Sequence, residues 1–159
     1  MEFVFLADYP DAVSTVARWY FEEWGYLGAG SSVDEVAEKI RIYLNSDKIP
    51  LILMAVEGRE ILAVVQLKYR EMDIYPEKEH WLGGVFVAPK HRGEKIASGI
   101  INKALEIAKF LQVETLYLQT GNLDGGLYRK LGWQPLNRVN YHGLDVLVME
   151  KKLTRPERS

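Results

Sequence analysis

Between residues 83 and 105 the chain reads GGVFVAPKHRGEKIASGIINKAL, where an apolar alternation passes through a short charged turn into a helical repeat. A helix start leaves four backbone N–H groups without intrahelical partners and carries partial positive charge, so it can hold an anion, phosphate above all. Gly93, Ala97, Ser98 and Gly99 leave room around those groups, and Arg92 adds a cation able to make bidentate contacts. Glu94, Lys95 and Ile96 complete the turn. Lys95 departs from the pattern, because it stands where a phosphate grip favours glycine. Its ammonium either assists the phosphates or crowds the backbone approach.

Other nucleotide and metal chemistries have less support. Neither a Walker lysine–threonine pattern nor a GxGxxG fingerprint is present. His80, His91 and His142 show no metal-ligand spacing, so no metal is expected. The chain has no cysteine, which removes disulfides, thiolate sites and cysteine nucleophiles and is compatible with a reducing compartment. Cytoplasm is the expected location, since MEFVFLADYP carries an acid where a signal peptide carries bases. No apolar run approaches the roughly 20 residues needed to span a bilayer.

The elements that must position the turn follow from hydrophobic period. EFVFL reads as a first strand, and Asp8 or Asp11 with Pro10 opens a helix over DAVSTVARWYFEEWGYL, with Val13, Val16, Ala17, Tyr20 and Trp24 on one face. GAGSS breaks it, and SVDEVAEKIRIYLN restarts a helix behind Ser32 as cap. LILMAVEG and ILAVVQLKYRE form an antiparallel hairpin around Gly58. HWLGGVFVAP is the next strand, and Gly83-Gly84 within it marks a bulge or a close approach by another group.

Ile96, Ile100, Ala104, Ala108 and Leu111 then set a broad apolar helix face, and TLYLQT follows as a strand. Strand, crossover helix and strand make a βαβ unit whose strands run parallel. LYRKLGW is a short helix, and Gln134 to Leu153 a strand pair turning near His142-Gly143. The order β-α-α-β-β-β-α-β-α-β-β predicts an α/β fold, a mixed sheet covered by helices. With 159 residues and 48% hydrophobic content it forms one domain over 1–153, with 154–159 as a loose tail. A net charge of -2 argues against general nucleic-acid binding.

FVAPKHRGEKIA together with NLDGGLYRKLGW resembles the two signature regions of the GNAT acetyltransferase superfamily, and the element order is similar to that fold. The family's R-x-x-G-x-[GA] falls on Arg92, Lys95 and Ala97; Arg92 and Ala97 fit, Lys95 does not. The resemblance is strongest from about residue 81 to 133. It implies that the amides around residues 92 to 98 hold the pyrophosphate of acetyl-CoA and that Val85 and Val87 present backbone groups to its pantetheine arm. It also implies Tyr128 as general acid and Asn122 as a cofactor contact. The expected function is acetyl transfer from acetyl-CoA to a primary amine through a direct ternary complex; the alternative is a CoA-binding sensor that kept the fold and lost turnover.

Such chemistry needs a neutral amine, a stabilised oxyanion and a protonated leaving thiolate. A backbone N–H exposed by a bulge serves the oxyanion, and Val87 is the candidate. A tyrosine hydroxyl with reference pKa about 10 can protonate a thiolate whose parent thiol lies near about 8.5. Candidates for the base or for amine binding are Glu23 and Asp73, with Glu22 and His80 beside them. Each has an ordinary reading as a solvated helix face, turn former or loop residue, and a water chain can replace a single base. Trp24, Tyr75 and Trp81 are candidate walls of an acceptor pocket, within an aromatic set that includes Trp19, Tyr20, Tyr26 and Tyr141. The acceptor, a small molecule or a peptide amine, and the oligomeric state, a homodimer included, stay open. No membrane partner is expected.

Overall fold

A computed structural model describes residues 1–25, 28 and 30–153. Tyr26 and the expected tail at 154–159 lie outside the described residues. The seven strands are β1 (Glu2–Phe5), β2 (Leu51–Glu57), β3 (Glu60–Tyr69), β4 (His80–Val87), β5 (Thr115–Thr120), β6 (Gln134–Tyr141) and β7 (Leu144–Lys152). They form one sheet in the order β1-β2-β3-β4-β5-β7-β6. All neighbours are antiparallel except β4 and β5, which are parallel as a right-handed crossover through a helix requires. The helices are α1 (Val13–Trp24), α2 (Val33–Ile40), α3 (Ile96–Phe110) and α4 (Gly126–Lys130), in the order read from the sequence.

Strand β2 reads as a continuous apolar run because both of its faces are covered. Leu51, Leu53 and Ala55 meet α3 residues Ile100, Ile101 and Ala104 on one side of the sheet. Ile52 and Met54 meet Val16, Tyr20, Val36 and Ile40 from α1 and α2 on the other. Helix α2 starts where Ser32 was expected to cap it: the Ser32 hydroxyl accepts from the Glu35 N–H at 3.1 Å. It is shorter than its sequence pattern, giving way after Ile40 to a tighter turn at Arg41–Tyr43.

On the face where α1 covers the Phe86 end of β4, the Trp81 end of that strand and its neighbours β5, β6 and β7 are covered by a loop instead. There the loop at 70–79 packs down as a cover, and Met72 joins Trp81, Val146 and Val148 in a buried cluster flanked by Tyr75, Tyr117 and Tyr141. Two ties hold the loop to β6: the Tyr141 hydroxyl with Asp73, and the Asn137 amide donating to the Tyr75 hydroxyl at 2.6 Å. Trp81 is fully buried and its indole N–H donates to the Lys78 carbonyl at 2.7 Å, so it is a core residue and not a pocket wall. Among the described residues no helix is long and apolar enough to cross a membrane.

Candidate active site

The two parallel strands part soon after they meet. β4 and β5 register only at Trp81 and Tyr117, and beyond that pair the strands splay. On its other edge β4 stays paired to β3, but with a bulge: Gln66 faces Gly83 and Val64 faces Phe86, so Gly84 and Val85 stand against Val65 alone. Ala88 donates its N–H to the Leu62 carbonyl at 2.8 Å. Antiparallel alternation therefore turns the N–H and carbonyl of Val87 away from β3 and into the splay, where the sheet offers them no strand partner. The side chains of Val85 and Val87 pack beneath α3.

Gly84 makes this bend in the left-handed region, with φ 57°. A Cβ there would stand 2.8 Å from the Gln66 side chain and 2.8 Å from the Tyr20 hydroxyl. That hydroxyl donates to the Gly84 carbonyl at 2.7 Å, and burial holds it far above the ordinary tyrosine pKa. The glycine pair thus reports both a bulge and a close approach, one for each residue. At Gly83 a Cβ would lie 2.7 Å from Oε1 of Glu71.

At the open end of the splay the charged turn enters α3. Lys95 is the residue before the helix and adopts φ 64°, ψ 18°, the left-handed conformation that glycine takes without strain. Its backbone follows the glycine path, and its side chain is exposed. Unlike α2, α3 has no side-chain cap, so the N–H groups of Ile96, Ala97 and Ser98 are left for another acceptor, while Gly99 bonds back to Lys95 at 3.3 Å. Ile96 is buried, so only its backbone can serve. Gly93, at φ 86°, has open space where a Cβ would go.

Arg92 lies over the Phe86 ring at 5.3 Å and donates its Nε to the Val87 carbonyl at 3.0 Å, which fixes the guanidinium beside the unpaired edge of β4. Glu94 directs its carboxylate to His91, whose other ring nitrogen meets Glu60, and these carboxylates raise the His91 pKa. Glu94 can therefore contribute to an anion site only through its backbone. Because Lys95 is held in the left-handed region, Lys95→Gly should raise stability by about 1 kcal/mol. Urea denaturation of the two proteins measures this, and an unchanged midpoint would contradict it.

Tyr128 is half-buried on α4, against the Trp133 ring at a 6.1 Å, edge-on contact. Burial first, and then the charge of Glu71, push its pKa up to about 12, so it is a protonated donor at any ordinary pH. Its hydroxyl has no hydrogen-bond partner among the described residues. Asn122 sits on the loop before α4, its N–H on the Thr120 hydroxyl at 3.1 Å and its side chain against Gly126.

The carboxylate at the splay is one that sequence reasoning missed. Glu71 leaves the end of β3 and lays its Oε1 over Gly83, while Oε2 accepts from the Gln119 amide of β5 at 2.9 Å. Lys68 of β3 reaches Oε1 at 3.3 Å. Glu71 is thus held above the gap between β4 and β5 from both flanking strands. Asp73, the expected candidate, is exposed and engaged with Tyr141. Glu22 and Glu23 are exposed on the last turns of α1, and His80 lies at the far end of β4 against Tyr69. Only the Gly83-Gly84 pair in the sequence hinted at a group coming close. Trp24 stacks near Tyr20 and Phe86, at 5.5 and 6.3 Å.

A sheet opened between two parallel strands, with an uncapped helix start at the mouth and a half-buried tyrosine and carboxylate at the gap, offers backbone donors for an anion beside groups able to give and accept a proton. The Acetyltransferase (GNAT) family matches residues 8–133, and the chain belongs to this family. Solved structures share the fold across nearly the whole chain. An aminoglycoside 6'-N-acetyltransferase complexed with coenzyme A has a TM-score of 0.78 at 18% identity, covering 99% of this chain and 100% of that one. The aminoglycoside 6'-N-acetyltransferase from Enterococcus faecium gives 0.74 at 18%, with 99% and 100% covered. A variant of the spermidine N-acetyltransferase SpeG from Vibrio cholerae gives 0.71 at 17%, with 96% and 95% covered. Comparison with curated proteins gives no match.

Proposed function

We propose that this acetyltransferase moves the acetyl group of acetyl-CoA to a primary amine within one ternary complex. The observation that carries the reading is the unpaired edge of β4, which runs from the Gly84 bulge past Val87 to the uncapped start of α3, with Tyr128 and Glu71 beside it. Bound acetyl-CoA would supply the thioester whose acetyl carbon the amine attacks. The amides of Ile96, Ala97 and Ser98, with Gly93 and the path through Glu94 and Lys95, suit the pyrophosphate, and Arg92 adds positive charge. Val85 and Val87 offer backbone groups to the arm of the cofactor, and the Val87 N–H suits the developing negative charge on the carbonyl oxygen. Asn122 borders the same opening.

As the C–N bond forms and the C–S bond breaks, the Tyr128 hydroxyl gives its proton to the departing sulfur. Glu71 accepts the proton that the nitrogen loses, directly or through water, and solvent restores both groups. Asp73 keeps the loop that carries Glu71 docked on β6, and Glu23 is an exposed charge on the last turn of α1. The chain makes one domain over 1–153. A lysine on the glycine path with its side chain exposed lends no support to a CoA sensor without turnover.

The test is thiol release from acetyl-CoA across a panel of amines and peptides. Turnover with at least one acceptor is expected, together with heat stabilisation by acetyl-CoA worth about 2.7 kcal/mol at about 100 times its Kd. Stabilisation without thiol release from any acceptor would contradict catalysis; neither effect would contradict the cofactor as well.

A further inference from the structure

The carboxylate placed at the acceptor side of the gap already has a cation. Lys68 and Glu71 are both largely withdrawn from solvent, their side chains 24% and 15% exposed, with Nζ 3.3 Å from Oε1. Burial, the largest influence, draws the Lys68 pKa down, but the charge of Glu71, the nearby Tyr43 and the hydrogen bonds Lys68 gives to both together turn this into a net rise. The lysine therefore stays charged beside Glu71. The remaining groups around the pair bring no second anion. Gln119 faces it from β5, Tyr43 from the turn after α2, and Tyr128 from α4, its hydroxyl kept protonated by burial. Asp73 is exposed and tied to Tyr141, and Glu22 and Glu23 are solvated, where a carboxylate holds a cation only weakly.

Resting on the acetyl-transfer reading above, we infer that Lys68 denies Glu71 to an acceptor's ammonium, so that the enzyme takes its amine as the free base and selects amines of low basicity, α-amino groups above alkylammonium groups. A second cation beside Lys68 would meet like charge in a poorly solvated site, whereas a neutral amine can donate an N–H to Glu71 without displacing the lysine. The preference then follows free-base abundance. An α-amino group with pKa about 7.8 has about 300 times more free base at pH 7 than an alkylamine near about 10.4. The acceptor class is therefore an amino acid derivative or a peptide N-terminus, not a polyamine.

The experiment measures acetyl-CoA-dependent thiol release by the full chain with dipeptides and with unbranched alkylamines from pH 7 to 9. For the wild type, kcat/KM at pH 7 should favour dipeptides by about 100-fold, and the alkylamine value should rise about tenfold per pH unit. In Lys68→Met, Glu71 is free to pair with ammonium. The alkylamine KM should fall about tenfold, with the preference and the pH slope shrinking together, while Lys68→Arg should keep the wild-type pattern. A wild type that favours alkylamines at pH 7 overturns the inference, as does a Lys68→Met protein in which KM rises for both series with preference and slope unchanged. The wild-type comparison decides even where Lys68→Met fails to fold. Thiol release with neither series in the wild type overturns this inference, and the acetyl-transfer reading falls with it only where the wider amine panel is silent too.

Discussion

Tyr128→Phe is expected to lower kcat by about 100-fold or more while leaving the affinity for acetyl-CoA within about twofold. The substitution keeps the ring, and with it the edge-on packing against Trp133, so the half-buried position is still filled. What disappears is a proton held at a hydroxyl that no other described residue engages. Steady-state kinetics with a saturating amine, beside a direct titration of acetyl-CoA, separate the two effects; equal turnover in the variant would remove Tyr128 from the acid role. The pH dependence follows from the same environment. With its folded pKa at about 12, above the unfolded value near about 10, Tyr128 stays protonated through the alkaline range where other groups titrate. Loss of rate below about pH 11 therefore belongs to other groups. Burial of the neutral phenol also stabilises the fold fully below about pH 10, and that contribution is lost as the pH rises through about 12.

Gly84→Ala should lower stability by about 3 kcal/mol, a fall in Tm on the order of 10 °C. Two costs combine at this position. A residue with a Cβ held at φ 57° loses about 1–2 kcal/mol, and the new methyl group would sit 2.8 Å from both Gln66 and the Tyr20 hydroxyl. Relief requires Tyr20 to give up its 2.7 Å hydrogen bond to the Gly84 carbonyl, leaving a buried hydroxyl unpaired. Gly93→Ala is the control, since Gly93 also has positive φ, 86°, but open space around the missing Cβ. It should cost only about 1 kcal/mol. Equal losses in the two variants, read by thermal or urea unfolding, would show that contacts at Gly84 contribute nothing.

Much of the architecture was legible along the chain because it is written in local period and local turn chemistry. The apolar repeat from Ile96 to Leu111 could only be a broad-faced helix, and the runs on either side of Gly58 only a hairpin. Once a helix joined HWLGGVFV to TLYLQT, their parallel pairing followed from chain geometry. The uncapped helix start was legible for the same reason: Arg92, Gly93, Ala97 and Ser98 are neighbours in sequence, and such a turn needs only neighbours. The conformation of Lys95 was not legible, because residue type alone does not reveal φ; the tertiary frame holds it at 64° on the path a glycine would take.

The acceptor side was different. Asp73 and Glu71 lie two residues apart in one loop, and the sequence offers no ground for ranking them. The choice depends on which carboxylate the docked loop turns inward. Tyr141, 68 residues away, takes Asp73, and Gln119, 48 residues away, takes Glu71 over a glycine with no side chain to obstruct it. Trp81 likewise went to the core because that same loop covers its face of the sheet. By itself the sequence determined the element order, the turn that opens α3 and the candidate acid, all set by short-range pattern. Only the tertiary structure decided which carboxylate meets the gap and that Lys68 already stands beside it, because those contacts join strands and loops that no local period relates.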